Sequence, residues 1–168
     1  MYLKNMLYQL QYEIYYNGQL FLDTKKYKNG VILCTDEVVP LPGLKKILDK
    51  EEFEIELKPE EAFGNRDVNL IVKLPKSAIE GNPYPGGYVK IENLVGKIIA
   101  VNSGRVIIDL NHPLAGKTIL VKGKIVSKHS DKDEIIKIIK DYHDIKDEEE
   151  LKKHLEFYKI WTLKQQKR

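Results

Sequence analysis

Residues 8–23 read YQLQYEIYYNGQLFLD, and this stretch decides the fold. From 8 to 16, apolar or aromatic side chains stand at every second position, and three of the four positions between them are Gln or Glu. Alternation with a period of two predicts a strand with one buried face. Asn17-Gly18 then supplies the positive φ angles of a tight hairpin turn, and the return strand runs from Leu20 to Asp23. The stretch therefore predicts an antiparallel hairpin whose first strand covers a core.

Further segments extend this hairpin into a sheet. Residues 31–34 form a short apolar run, residues 53–57 alternate apolar with charged side chains, and residues 119–126 read ILVKGKIV. Residues 41–48 read LPGLKKIL, in which Leu and Ile recur at helical spacing after a Pro-Gly turn. Together they predict a curved antiparallel sheet with one short helix against it.

Residues 68–110 have the pattern of a separate β-rich segment. Gly and Pro are concentrated at 81–87, and Asn102-Ser103-Gly104 gives a second turn signal. Apolar runs between these turns predict strands at 70–75, 89–95, 98–101 and 106–110.

The C-terminal part of the chain changes to helical periodicity. Ser130 can cap a helix with an apolar stripe over 135–142, and Asp147 has capping-box spacing to Glu150 ahead of a second stripe over 151–162. This pattern predicts a helical hairpin with one apolar face. That face either docks on the β body or meets a partner chain.

Composition narrows the classes of function. The chain has 168 residues, is 42% hydrophobic and 32% charged, and has a net charge of +3. Because basic and acidic residues nearly balance and Arg is rare, we expect a mixed-charge surface rather than a nucleic-acid binding face. No apolar run is long enough for a membrane span, and the start lacks the pattern of a secretory signal. The single Cys34 cannot form an intramolecular disulfide, which favours a reducing, cytoplasmic compartment.

Three potential chemical sites are set aside. Gly116-Lys117-Thr118 imitates the end of a phosphate-binding loop, but Asn111 stands where that motif needs Gly. The four histidines are too scattered for a local metal site. Cys34 lies in an apolar run, which predicts a packed thiol rather than a nucleophile. We therefore expect no metal and no cofactor, and these patterns alone indicate no function.

Short motifs carry a resemblance to a known family. In chain order they are the hairpin ending at Asp23, Leu41-Pro42-Gly43-Leu44, Ala62-Phe63-Gly64-Asn65, Asn69-Leu70 with Leu74-Pro75-Lys76, and Asn111-His112-Pro113-Leu114-Ala115-Gly116. This order resembles FKBP-type peptidyl-prolyl isomerases of the SlyD-like class over about residues 6–127. The AFGN…NL…LPK and NHPLAG segments are its most specific pieces. The helical tail lies outside the resemblance.

The resemblance implies an α+β fold in which an FKBP-like curved antiparallel sheet packs on a short helix. It assigns residues 1–67 and 111–127 to a discontinuous isomerase domain. Residues 68–110 would form an inserted β-rich chaperone domain in the flap, and residues 128–168 a C-terminal helical extension.

The resemblance also implies a substrate pocket. Its candidate catalytic residues are Tyr12 and Asp23 at the hairpin, and Phe63, which stands where the family usually has Tyr. Loss of that hydroxyl is expected to weaken catalysis or ligand affinity. The apolar walls expected to bind substrate are Leu22, Val31, Leu33, Leu41, Leu44, Leu114 and Val121.

An apolar pocket of this kind suits the isomerisation of an X-Pro bond, whose twisted transition state is less polar than the planar amide. The resemblance implies a prolyl isomerase with chaperone activity on unfolded or proline-containing polypeptides, and it admits macrolide-type ligands. It implies neither nucleic acid nor a membrane as partner, and it leaves the C-terminal helices available to a partner protein. The alternative is a non-catalytic chaperone or binding module on the same fold.

Overall fold

The computed structural model describes residues 6–160. These residues divide into two compact units, a body formed by residues 6–62 and 118–160 and a second unit formed by Phe63–Lys117. The strands are β1 (Leu7–Tyr16), β2 (Gln19–Asp23), β3 (Ile32–Thr35), β4 (Glu52–Leu57), β5 (Ile71–Pro75), β6 (Tyr88–Ile91), β7 (Leu94–Asn102), β8 (Arg105–Asp109) and β9 (Ile119–His129). The α-helices are α1 (Lys132–His143) and α2 (Glu148–Phe157).

The body contains a five-stranded antiparallel sheet built around β1. Its order is β2-β1-β9-β4, and β3 pairs with the first half of β1. Tyr8, Leu10, Tyr12 and Ile14 are buried while the residues between them are half-buried, so the predicted alternation is confirmed. The predicted hairpin is confirmed as well, with Asn17 and Gly18 at positive φ.

The short helix predicted at 41–48 is a 3₁₀ helix, Pro42–Ile47, that begins at proline. Leu44 and Ile47 are buried. A Cβ on Gly43 would overlap the side chain of Leu57 and lie 3.0 Å from the Cβ of Glu61, so the helix packs directly on the end of β4. The predicted contact between helix and sheet is confirmed, although the helix is of the tighter type.

The second unit is a four-stranded antiparallel sheet of order β5-β8-β7-β6 around a core of Ile98, Val106 and Ile108. The strand predicted at 89–95 is wrong. The chain turns at Glu92, where φ is 55°, and β7 then continues through Gly96. Gly96 lies within β7, at a position where a Cβ would overlap the side chain of Ile108 in β8. Close packing therefore accounts for this glycine, which does not mark a turn.

The predicted helical hairpin is confirmed, and its apolar face docks on the body rather than staying exposed for a partner. Ile135 and Ile139 of α1 and Leu151 of α2 pack with Leu7 and Leu33 of the sheet. No helix within residues 6–160 is long and apolar enough to span a bilayer.

The helix caps differ in part from the prediction. Asp131, not Ser130, caps α1, because its carboxylate accepts a hydrogen bond from the Glu134 amide at 3.0 Å. Asp147 caps α2 as predicted and accepts from the Glu150 amide at 2.8 Å. The end of the second stripe, at 161–162, lies outside the described residues.

Candidate functional site

One face of the body sheet brings three predicted site residues together. Directly opposed residues of antiparallel strands project to the same face. Ile14 lies opposite both Val121 of β9 and Leu22 of β2. Tyr12, two residues before Ile14, projects to that face too and lies opposite Gly123. Tyr12, Leu22 and Val121 therefore share what we term the apolar face.

Glycine at position 123 lets β1 approach β9 closely beside Tyr12. A Cβ at this position would lie 2.5 Å from the Cβ and 2.8 Å from the Cα of Tyr12, and closer still to the carbonyl oxygen of Gln11. Phe53 of β4 lies opposite Gly123 from the other side. Any larger residue would therefore displace the Tyr12 backbone.

The 3₁₀ helix supplies two more of the predicted walls. Leu41 and Leu44 are 4% and 0% exposed. The helix packs on Leu57, which projects to the apolar face because it lies opposite Ile119, two residues before Val121. The sheet and the helix thus place both leucines on the side of the sheet that carries Tyr12.

Asp23 does not lie opposite Tyr12 in the register of the hairpin, although both residues border the same shallow depression. Regular pairing after a two-residue turn would place Asp23 opposite Tyr12, but the register shifts by one residue at Phe21 and places Asp23 opposite Glu13. A shift of one residue exchanges the faces of a strand. The Asp23 carboxylate accepts a hydrogen bond from the Lys25 amide at 3.0 Å and closes the following turn.

Near β2 and β9, the reverse side of the body sheet is polar. Asp23, Glu13, Lys25, Lys122 and Lys124 line a shallow depression of about 270 Å³, which Tyr12 and Gly123 also border. Acids and lysines alternate there, so this surface has no uniform charge. It lacks the apolar walls that a proline ring would require.

The environment of Tyr12 keeps its phenol protonated. Burial is the largest cause that raises the pKa of Tyr12, and Tyr27 adds to it. The backbone amide of Tyr12 donates to Thr24 Oγ1 at 3.0 Å, and this hydroxyl donates in turn to the Gly30 carbonyl at 3.0 Å. Sequence reasoning missed Thr24, since one polar residue after a strand gives no periodic signal. It is fully buried and joins β1 to the loop 24–31.

Val31 and Leu33, the next predicted walls, do not line up with Tyr12. Leu33 lies opposite Gln9 on the reverse side of the sheet and packs in the cluster with α1 and α2. The role of Leu33 as a substrate wall stays a prediction. Val31 is buried, and its carbonyl accepts a hydrogen bond from Tyr142 of α1 at 2.6 Å.

Phe63 and Leu114 belong to the second unit and are linked there by His112. The Phe63 ring is half-buried and stacks on the His112 ring with centroids 4.0 Å apart and planes inclined by 6°. His112 Nδ1 accepts a hydrogen bond from the Leu114 amide at 3.0 Å. Burial lowers the pKa of His112, which favours the neutral ring that this bond needs. Sequence reasoning set this histidine aside, although its place in NHPLAG was a usable signal.

The neighbouring Asn111 ties together the two ends of the second unit. Its side chain accepts from the Asp67 amide at 2.8 Å and donates to the Asp109 carboxylate at 2.8 Å. Burial acts to raise the pKa of Asp109, but hydrogen bonds from Arg66 and Asn111 outweigh it and hold the pKa below its usual range. The segment that precedes Leu114 is therefore fixed by a polar network.

Cys34 is not a reactive thiol. Cys34 is buried, and burial followed by the charge of Asp36 raises the pKa of its thiol to about 12. The prediction of a packed thiol is confirmed. Within residues 6–160, no three His, Cys, Asp or Glu side chains cluster as a metal site would require.

Comparison with known proteins identifies the relatives. Residues 74–114 match the family model described as FKBP26, IF domain. The chain is 25% identical to the FKBP-type peptidyl-prolyl cis-trans isomerase SlyD of Helicobacter pylori over 80% of this chain and 78% of that protein. It is 24% identical to SlyD of Pasteurella multocida over 74% of this chain and 67% of that protein. Over most of its length the chain is thus similar, at modest identity, to FKBP-type peptidyl-prolyl cis-trans isomerases.

A further match is shorter. The chain is 36% identical over 70 residues to the short-type peptidyl-prolyl cis-trans isomerase of Methanocaldococcus jannaschii, and it covers 45% of that relative's length. The segment 74–114 that matches the IF domain falls inside the second unit, Phe63–Lys117, and overlaps the predicted insert at 68–110.

Proposed function

We propose that this protein is an FKBP-type peptidyl-prolyl cis-trans isomerase and a folding chaperone. The observation that carries the catalytic part is the apolar face, on which Tyr12, Leu22 and Val121 lie on the side of the sheet that the 3₁₀ helix covers. The names of the homologues support the same activity.

The proposed mechanism requires desolvation and shape rather than a nucleophile. The X-Pro amide loses its conjugation on rotation, across a barrier of roughly 18–20 kcal/mol. An apolar site that grips the proline ring and excludes water stabilises the less polar twisted amide more than the planar one. A thousandfold acceleration needs only about 4 kcal/mol of such selective stabilisation.

Tyr12 is the polar group that the mechanism can use on the apolar face. Because burial raises the pKa of Tyr12, its phenol remains a hydrogen-bond donor throughout the neutral range. Phe63 supplies ring packing but no hydroxyl, so we expect slower turnover than a tyrosine at this position would give. Asp23 accepts the Lys25 amide in the turn that follows β2, and its part in catalysis stays a prediction from the resemblance.

The chaperone part of the proposal rests on a groove in the second unit. Leu74, Ile79, Val89 and Ile91 line this groove of about 540 Å³ together with Glu80 and Lys90, and Tyr88 lies at its exposed margin. Such a groove can hold apolar side chains of an extended polypeptide against its aliphatic residues. Capture in this unit would raise the effective concentration of proline-containing segments at the isomerase site.

The proposed substrates are unfolded or partly folded polypeptides, and the proposed location is the cytoplasm. A single cysteine with a protonated, buried thiol is compatible with a reducing compartment. No residue in the proposed mechanism needs a bound metal.

A peptide isomerisation assay tests the catalytic part. We expect the wild-type protein to accelerate cis-trans exchange of a short X-Pro peptide, and Phe63→Tyr to accelerate it further by restoring a donor. Phe157→Tyr makes the same change on α2, where the ring is 65% exposed, and should leave the rate unchanged. If the wild type does not accelerate the exchange at any concentration, the isomerase proposal is refuted. That result would favour a non-catalytic chaperone, an alternative supported by the lack of a hydroxyl on Phe63.

A refolding assay tests the chaperone part. Tyr88→Asp should lower the acceleration of a proline-limited refolding reaction while leaving turnover of the short peptide unchanged, because the charge opposes capture in the groove. Ile99→Asp places the same charge at an exposed position of β7 outside the groove and should have little effect. Equal losses for both substrates in Tyr88→Asp would contradict this division of labour.

A further inference from the structure

The end of α1 contacts the loop 24–31 in the body. Tyr142, in the last turn of α1, donates its hydroxyl to the Val31 carbonyl at 2.6 Å. The ammonium group of Lys28 hydrogen-bonds to the Asp141 carbonyl of the same turn. Two successive residues of α1 therefore bind both the middle and the end of this loop.

The same loop is fixed from its other side by β1. Thr24 Oγ1 accepts from the Tyr12 amide and donates to the Gly30 carbonyl, each at 3.0 Å. Gly30 directly precedes Val31, so the loop end lies between a bond that leads to Tyr12 and a bond that leads to Tyr142. Asn29 has a φ of 59°, in the left-handed region that asparagine adopts more readily than most residues.

The ring of Tyr142 is packed against the body. It is half-buried beside the cluster formed by α1, α2, Leu7 and Leu33, and burial raises the pKa of its hydroxyl so that it stays a donor. Loss of the hydroxyl would leave the packing of the ring intact. It would remove one hydrogen bond to the loop and leave the Val31 carbonyl without it.

We infer that Tyr142 is a positioning residue for the substrate site, through which the C-terminal helices hold the loop 24–31 against the strand of Tyr12. This inference rests on the proposed isomerase function. It gives the C-terminal helices, which lie outside the family resemblance, a part in substrate binding without contact with the reacting amide.

Tyr142→Phe tests the inference, with Tyr158→Phe as the matched control. Tyr158 is also a buried tyrosine of the C-terminal cluster, but its hydroxyl bonds to His143 at 2.7 Å and not to the loop. We expect Tyr142→Phe to raise KM for an X-Pro peptide by about threefold to tenfold, the effect of one hydrogen bond, with little change in kcat. We expect amide hydrogen exchange at residues 24–31 to become faster in this variant and to stay unchanged in Tyr158→Phe.

The outcomes separate the inference from the function beneath it. If the wild type isomerises the peptide but both variants behave alike in KM and in exchange, the inference is overturned. If the wild type shows no isomerisation, the proposed function fails, while the exchange measurement still decides whether Tyr142 holds the loop. Unchanged exchange at 24–31 in Tyr142→Phe overturns the inference in either case.

Discussion

Replacement of Gly123 by alanine should destabilise the body and shift Tyr12. The added Cβ would lie 2.5 Å from the Cβ and 2.8 Å from the Cα of Tyr12, and closer to the Gln11 carbonyl oxygen. Carbon atoms in contact normally lie about 3.5–4.0 Å apart. The obstructing atoms belong to the backbone or to its first side-chain atom, so no rotamer change can relieve the overlap.

The magnitude follows from two opposing effects. Overpacking in a well-packed site costs about 1–3 kcal/mol, and the backbone contact at Gly123 places this case at about 2–3 kcal/mol. The loss of chain entropy in the unfolded state offsets about 0.4–1 kcal/mol. The free energy of unfolding should therefore fall by roughly 1–2.6 kcal/mol, which corresponds to a Tm decrease of about 2–10 °C for a chain of this size.

Thermal unfolding followed by circular dichroism measures the first effect, and the peptide isomerisation assay measures the second. Lys124→Ala is the matched control, since it changes the next residue of β9 on the exposed side and should stay within about 0.5 kcal/mol. An unchanged or raised Tm in Gly123→Ala would refute the argument that β1 and β9 meet too closely for a side chain. A lowered Tm with unchanged turnover per folded molecule would refute the link between the Tyr12 backbone and catalysis.

Other substitutions and pH test the remaining parts of the structure. Leu44→Ala should lower the free energy of unfolding by about 2–5 kcal/mol in urea denaturation, because its side chain is fully buried; a loss under 1 kcal/mol would place it outside the core. Ile139→Ala should cost a similar amount, whereas Ile138→Ala, at a half-buried position of α1, should cost less, and the reverse order would contradict the docking of this face. The free energy of unfolding should decrease as pH falls through about 6.5. Burial lowers the pKa of His112 and His143 in the folded state, so the unfolded state binds more protons there. A free energy of unfolding that stays constant between about pH 7 and pH 5 would argue against the burial of both rings.

The sequence predicted the apolar face but not the whole site. Period-two alternation around Tyr12 was sufficient because a strand's side-chain direction depends only on its own pattern. The register of Asp23 was not predicted because it depends on a shift of one residue at Phe21, which is set by how β2 pairs with β1. The packing of Leu33 was not predicted for a related reason, since the residues that bury it lie on α1 and α2, about a hundred residues further along the chain.

Turns and caps were predicted where the residue type fixes the backbone. Asn17-Gly18 and Asp147 are such cases, and both were found as expected. The turn at Glu92 was missed because Glu is seldom found at positive φ. The cap of α1 was placed one residue too early, because Ser130 and Asp131 are adjacent and both residue types can cap a helix. The roles assigned to Phe63 and the other pocket residues remain predictions that the isomerisation assays test.

The hydrogen bond from the Gly116 amide to the Gly64 carbonyl, at 2.7 Å, also bears on how the chain folds. It joins the two ends of the second unit, so β4 and β9 of the body can meet once this unit has formed. An unfolded segment of about 55 residues would cost roughly 2 kcal/mol more to close than a loop of a few residues. Folding of the second unit removes that entropic cost, because it holds the two ends of the segment together. Prior folding of this unit should therefore speed the pairing of β4 with β9.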